Sequence, residues 1–169
     1  IGQDPGSITW NQIKTKHFKI IFPQQNQKQA QYVANYIENI YEKSTKTLVS
    51  KPKNIPIILH TNSIISNAYT IWAPKRMEFY TTPPQDSYGQ EWLKQLAIHE
   101  FRHVIQINKI NQNKSKILYY ISGEQGIAAI LGIYVPAWFM EGDAVCSETS
   151  LSKTGRGRLP AFEMEIKTQ

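Results

Sequence analysis

Hydrophobic and polar residues in the first half of the chain follow two different periods. Residues 17–22 (HFKIIF) and 55–60 (IPIILH) are short apolar runs rich in Ile and Phe, which predict two strands. Apolar residues recur at spacings of three and four across residues 24–48, which predicts a long helix. Residues 69–72 and 77–80 are two further strand candidates, joined by the turn APKR. This half of the chain therefore predicts four strands and one helix.

Helical periods dominate the second half of the chain. Apolar positions at three- and four-residue spacing predict a helix at residues 88–107. Pro136 stands at a position typical of the first turn of a helix, so a last helix is predicted at residues 137–149. The run at 117–132 mixes Tyr, Ile and Gly and is interpreted as one or two short helices. Strands in the first half and helices in the second indicate the α+β class.

The composition is that of an ordinary globular domain. The chain has 169 residues, of which 41% are hydrophobic and 19% are charged, and this suits a single core. Its densest apolar stretch is interrupted by glycines and falls short of the roughly 20 residues that span a bilayer, so no transmembrane segment is expected. The single cysteine, Cys146, excludes a disulfide within the chain and any CxxC metal site.

The charge and the two ends of the chain add two expectations. The net charge of +6 is scattered and accompanies no recognised nucleic-acid motif, so nucleic acid is not expected as a partner. The chain begins at Ile1 rather than Met, and it stops within an amphipathic or extended segment. Residues 1–169 are therefore expected to be one domain excised from a longer polypeptide.

The chemistry of the chain is concentrated in the segment HEFRH at residues 99–103, an HExxH motif on the predicted helix. Side chains four positions apart lie on one face of a helix, so His99 and His103 can reach the same ion. Neutral imidazoles suit Zn²⁺, and Glu100 lies close enough to hold a zinc-bound water without binding the metal itself. A carboxylate there takes a proton from the polarised water and later delivers it to the leaving amine.

A catalytic zinc needs a third protein ligand and an open position for water. No histidine follows His103, so a carboxylate is expected to complete the site. Glu124 lies about twenty residues beyond the motif, but glycines flank it in the segment SGEQG. Glu141 lies on the predicted last helix beside Trp138 and Phe139, and it is favoured because ligands belong on rigid elements. Glu124 stays as the alternative ligand.

The segments HEFRH and PAWFMEGDA together resemble the peptidase-MA-like gluzincins, which carry HExxH and a later W-x-x-E-G-x-A segment. The resemblance implies that His99, His103 and Glu141 bind zinc. It also implies that Glu100 is the catalytic base and that the fold is zincin-like, with a small mixed sheet on the HExxH helix and further C-terminal helices. In this family a strand beside the active-site helix binds the substrate backbone, and residues 77–80 are the candidate here.

The chain departs from the thermolysin-like pattern behind the ligands. Val145 stands where an Asp would orient a ligand histidine, so Asp143 or Glu148 is expected in that role. An oxyanion needs a donor that faces the metal. The candidates for this donor are three tyrosines and one arginine: Tyr119, Tyr120, Tyr134 and Arg156.

The order of HFKIIF, the long helix, IPIILH and MEFYTTPP resembles one branch of the family, in which the peptidase-like domain precedes a TolB-like β-propeller in exported bacterial proteins. This resemblance implies a periplasmic or extracellular location, a fused C-terminal domain and a peptide or protein substrate. The leading hypothesis is a zinc metallopeptidase with Glu100 as its base. The alternative is a catalytically inactive zincin-fold binding module attached to a larger exported protein, since fold does not specify function.

Overall fold

The computed structural model describes residues 4–72, 74–85, 91–110, 135–160 and 162. The strands in these ranges are β1 (Trp10–Lys14), β2 (Phe18–Pro23), β3 (Ile55–His60), β4 (Ala68–Ile71) and β5 (Arg76–Tyr80). The α-helices in these ranges are α1 (Gln27–Lys46), α2 (Trp92–Ile110) and α3 (Ala137–Leu151). Short 3-10 turns lie at Gln24–Asn26 and Arg156–Arg158. This mixture of strands and helices confirms the predicted α+β class.

The five strands form one mixed sheet in the order β1-β2-β3-β5-β4. Neighbours pair in parallel within β2-β3-β5, whereas β1 and β4 run antiparallel to their partners. One row of paired residues crosses all five strands: Ile13, Ile20, Ile57, Met77 and Thr70. Because side chains alternate between the two faces of a strand, Thr70 points to the same face as the fully buried Ile57 and Met77.

The core lies on the helix-covered face of the sheet. Alternate residues of β3 are buried, as a strand with one covered face requires. Helix α1 packs on β2 and on α2, and α2 also packs on β4, β5 and α3. The ring of Phe101 on α2 lies 5.1 Å from that of Phe18 and 5.5 Å from that of Tyr41, measured between centroids. Helix α2 is therefore enclosed by the sheet and the two other helices.

Several boundaries differ from those predicted. Strand β1 was not predicted, because its residues are mostly exposed and show no apolar alternation. Helix α2 begins at Trp92 rather than at residue 88 and continues to Ile110, while α3 continues to Leu151. The helices predicted at 117–132 lie outside the described residues. None of the described helices combines the length and apolar character needed to cross a membrane.

The prediction that residues 77–80 bind a substrate backbone is wrong. Residues 77–80 belong to β5, which pairs with β3 on one side and β4 on the other, so its backbone groups are already engaged. Strand β4 instead ends the sheet order and packs on α2. The strand beside the HExxH helix is therefore β4.

Replacing Phe101 with Ala is expected to lower the free energy of unfolding by about 3–5 kcal/mol, the usual cost of deleting a buried aromatic ring. The control is Ile64→Ala, because Ile64 is 96% exposed and its truncation should change stability by less than about 0.5 kcal/mol. Urea unfolding followed by circular dichroism measures both variants. Similar small effects in both would contradict the core described above.

Candidate metal centre

Helix α2 brings the two motif histidines together. His99 and His103 are one helical turn apart, and their Nε2 atoms are separated by 3.2 Å. Only 11% of the His99 side chain and 12% of the His103 side chain are exposed. The prediction that both imidazoles face one point is therefore confirmed.

Helix α3 adds a carboxylate to this pair. One oxygen of Glu141, Oε2, lies 3.2 Å from Nε2 of His99, and the other, Oε1, lies 3.4 Å from Nε2 of His103. The three residues each offer a ligand atom, and these atoms all lie within 4.8 Å of one another. The Glu141 side chain is 61% exposed, so the group is open to solvent on one side. This group can hold a metal ion, whereas Glu124 lies outside the described residues.

Glu100 is held beside the cluster by the edge strand of the sheet. Its residue is 7% exposed, and the Oγ1 of Thr70 lies 2.9 Å from its carboxylate Oε2 and 2.9 Å from its backbone oxygen. Thr70 reaches α2 because it occupies the helix-facing side of β4. The contact fixes the Glu100 carboxylate without neutralising it, since a hydroxyl brings no charge.

A cleft of about 490 Å³ opens over the cluster. One wall is the β4 strand with its preceding loop, and the other walls are α2, the first turns of α3 and Arg156. His99, His103, Glu100 and Glu141 all line it. The candidate ligands and the candidate base therefore share one solvent-accessible space.

The ring nitrogen of His99 that points away from the cluster, Nδ1, faces the ion pair of Glu148 and Arg156. This nitrogen lies 3.5 Å from Oε2 of Glu148 and 2.7 Å from Nη2 of Arg156. A guanidinium only donates and a carboxylate only accepts, so the two contacts suit opposite tautomers of the ring. A ligand bound through Nε2 requires hydrogen on Nδ1, and the contact that suits a metal ligand is the one with Glu148. The Glu148 carboxylate is thus within reach of Nδ1 of His99, where an Asp at position 145 was expected to act, but Arg156 makes the shorter contact.

Arg156 holds Glu148 through a close backbone approach. Its backbone N–H donates to Oε1 of Glu148 at 2.9 Å, and its Nε donates to Oε2 at 3.1 Å. A Cβ at Gly155 would lie 2.5 Å from the Thr149 Cα, so only glycine permits this approach. Burial raises the pKa of Glu148, but hydrogen bonds from His99 and Arg156 and the charge of Arg156 outweigh it, and the pKa is lowered overall.

The corresponding nitrogen of His103, Nδ1, has a different partner, which was not predicted from the sequence. Nδ1 of His103 lies 2.9 Å from Oε1 of Gln106, one helical turn further along α2. Gln106 in turn contacts Asp143, which also pairs with Arg102 at 2.6 Å. Burial raises the pKa of Asp143, but hydrogen bonds from Arg102 and Gln106 outweigh it and hold the pKa below its usual value.

A polar residue within an apolar run was the available signal for Gln106. It stands between Ile105 and Ile107, and all three are buried. No comparable signal marked Thr70, whose role depends on the register of β4. The other two histidines, His17 and His60, contact carboxylates of Glu38 and Asp4.

The donor for an oxyanion is not assigned by these contacts. The three candidate tyrosines lie outside the described residues. Arg156 lines the cleft, but its guanidinium is engaged with Glu148 and His99. Arg156 therefore holds the Glu148 carboxylate that lies behind His99.

Comparisons with protein-family models, curated proteins and solved structures found no match for this chain. The resemblance of HEFRH and PAWFMEGDA to the gluzincins therefore stays a prediction from two motifs. The chemistry of the site follows from its own contacts: two imidazoles, a carboxylate that faces both, and a second carboxylate in the same cleft.

Glu148→Gln is expected to lower stability at neutral pH by about 1.5–3 kcal/mol, because it removes the charge of a buried carboxylate that accepts hydrogen bonds from the partly exposed Arg156. The lowered pKa means that the Glu148 carboxylate stabilises the fold above the ordinary value of 4.5 and that this stability is lost as the pH falls through the folded-state pKa. The variant should therefore lose less further stability on acidification than the wild-type protein does.

Urea unfolding at neutral pH and at successively lower pH measures this difference. The matched control is Glu42→Gln, which removes an exposed carboxylate paired with Lys51 and should cost less than about 1 kcal/mol. Parallel pH curves for the wild-type protein and Glu148→Gln would contradict the role assigned to this ion pair.

Proposed function

We propose that this domain is a zinc-dependent metallopeptidase of the gluzincin type. His99, His103 and Glu141 hold the zinc ion, and Glu100 is the general base. The observation that carries the proposal is the convergence of these three ligand residues in the cleft that Glu100 also lines. The motif resemblance supports the same roles for the same four residues.

The donor set and its spacing support zinc. Two imidazole nitrogens and a carboxylate form a common ligand set of catalytic zinc sites, whereas Mg²⁺ and Ca²⁺ prefer oxygen ligands alone. Two donor atoms at about 2.0–2.2 Å from one tetrahedral zinc lie about 3.3–3.5 Å apart. Nε2 of His99 lies 3.2 Å from Nε2 of His103 and 3.2 Å from Oε2 of Glu141, and Nε2 of His103 lies 3.4 Å from the other oxygen, Oε1. The donor types therefore suit zinc, and these separations are close to those of a tetrahedral site.

Glu100 carries the proton transfers in this mechanism. Zinc, when bound, supplies Lewis acidity toward a peptide carbonyl and lowers the pKa of water. Glu100 accepts a proton from the water whose oxygen attacks the carbonyl carbon, and it then delivers that proton to the amide nitrogen as the C–N bond breaks. Thr70 orients the Glu100 carboxylate toward the cleft through its 2.9 Å contact with Oε2. The products are a carboxylic acid and an amine.

The position of β4 supports a peptide as the substrate class. An extended peptide adds to the edge of a sheet through backbone hydrogen bonds. Strand β4 is the last strand in the sheet order, and its residues Ala68, Tyr69 and Thr70 line the cleft. A peptide laid along this edge passes the ligand residues and Glu100.

The competing hypothesis is an inactive binding module. It is favoured by Val145, which stands where an Asp would orient a ligand histidine. Nδ1 of His103 nevertheless faces an acceptor, Gln106, and Nδ1 of His99 lies 3.5 Å from the Glu148 carboxylate as well as 2.7 Å from Arg156. These contacts favour a working site over a remnant. An exported location and a fused C-terminal domain are also part of the proposal, and they rest on the family resemblance alone.

Glu100→Gln is expected to keep zinc affinity while lowering the rate of peptide hydrolysis by about 10²- to 10⁴-fold, because the amide cannot accept the proton from water. The measurements are zinc content after dialysis and turnover of a broad peptide library. The amide keeps the shape of the carboxylate and can still contact Thr70, so this variant should fold like the wild-type protein. Unchanged turnover in this variant would contradict the role of Glu100 as general base.

Glu141→Ala is expected to weaken zinc binding by more than about 100-fold, since loss of partners behind a ligand alone costs about 10- to 100-fold. The side chain is 61% exposed, so its removal should leave the fold stable. Glu124→Ala is the matched control and should leave zinc affinity nearly unchanged. Competition with a chromogenic chelator measures both affinities, and the reverse order would show that Glu141 is not the third ligand.

A further inference from the structure

We infer that Gln106 is a positioning residue that fixes His103 in the tautomer with hydrogen on Nδ1, leaving Nε2 free to bind a metal ion. A neutral imidazole has one N–H, and the hydrogen bond made by one ring nitrogen decides the state of the other. The metal-binding part of this inference rests on the proposed function. The tautomer itself belongs to the metal-free protein.

The orientation of the Gln106 amide is determined by two acceptors. Its Nε2 lies 2.6 Å from Oδ2 of Asp143 and 3.0 Å from the backbone oxygen of Met140. A backbone carbonyl can only accept, and so can an ionised carboxylate, so this end of the amide must be the NH₂ group. The amide oxygen Oε1 then faces Nδ1 of His103 at 2.9 Å. An amide oxygen only accepts, and Nδ1 must therefore carry the hydrogen.

Asp143 is held in its ionised form by Arg102. The guanidinium donates through Nε to Oδ2 at 2.6 Å and through Nη2 to Oδ1 at 2.7 Å, a two-point pairing that only a carboxylate accepts. Arg102 is also tied to the end of α1, because its Nη1 donates to the backbone oxygen of Ser44 at 3.4 Å and to Oγ1 of Thr47, the residue after the helix, at 2.6 Å. Hydrogen bonds run from Arg102 through Asp143 and Gln106 to His103. The chemistry of these groups fixes which one donates and which one accepts in each bond.

The two ligand histidines differ in this respect. Nδ1 of His99 faces both a donor, Arg156, and an acceptor, Glu148, so its surroundings permit either tautomer. Nδ1 of His103 faces the acceptor Gln106. His103 is therefore the ligand that is ready before the ion arrives, and a ligand fixed in its binding form loses less freedom on binding.

The first experiment reads the tautomer directly in metal-free protein. Protonated and unprotonated ring nitrogens resonate in separate regions of the ¹⁵N spectrum, and two-bond ¹H–¹⁵N correlations at about pH 8, where free imidazole is neutral, assign them. We expect Nδ1–H for His103 in the wild-type protein, where the Gln106 oxygen accepts from it. We expect Gln106→Met, which removes the acceptor, to show Nε2–H.

The second experiment measures zinc affinity of the same proteins by chelator competition. Gln106→Met should bind zinc about 10- to 100-fold more weakly than the wild-type protein. The matched control is Asn108→Ala, which removes another side-chain hydrogen bond of α2, to Oγ of Ser50, and should change neither the tautomer nor the affinity. Thermal unfolding of each variant separates loss of stability from loss of the tautomer.

The outcomes distinguish this inference from the proposed function. Nε2–H on His103 in the wild-type protein would overturn the inference, as would Gln106→Met with wild-type zinc affinity. A protein that shows Nδ1–H but binds no zinc would contradict the proposed function while supporting the tautomer assignment. Nδ1–H retained on His103 in Gln106→Met would show that Gln106 does not fix the tautomer and would overturn the inference.

Discussion

Burial of a helix that carries polar side chains is the constraint on which the rest of this structure depends. Helix α2 is enclosed by the sheet, α1 and α3, and its buried residues include His99, Glu100, Arg102 and Gln106. A buried polar group without a partner costs several kcal/mol, so each neighbouring element has to supply one. Strand β4 supplies Thr70 for Glu100, and α3 supplies Asp143 for Arg102. The contacts that hold the fold together are thus the same contacts that arrange the site.

Helix α3 contributes to the site in three ways from one short segment. Glu141 reaches the two Nε2 atoms, Asp143 pairs with Arg102, and Glu148 faces Nδ1 of His99. Glu141 and Glu148 are seven residues apart, about two turns, so both face α2. The exposed carboxylate is the one directed to the cleft, and the fully buried one is neutralised by Arg156. One helix surface therefore provides both a candidate ligand and a carboxylate behind a candidate ligand.

The sequence predicts those elements whose hydrophobic period matches their burial. Strand β3 and helix α1 are of this kind, because one face of each is covered and the apolar residues mark that face. Strand β1 is not, since its pairing with β2 leaves nearly all its side chains exposed and no apolar alternation is required. The edge position of β4 was also beyond the sequence, because strand order depends on pairing between segments and not on the composition of either.

The sequence by itself determined that His99 and His103 share a helix face with Glu100 beside them, because that arrangement follows from the helical repeat alone. It also narrowed the candidates for a third ligand to carboxylates, since no histidine remained downstream. Tertiary structure decided the rest. Glu141 faces His99 across 42 positions of chain, and Thr70 faces Glu100 across 30. Contacts of that range depend on how α3 and β4 pack against α2, and no local period in the sequence records that packing.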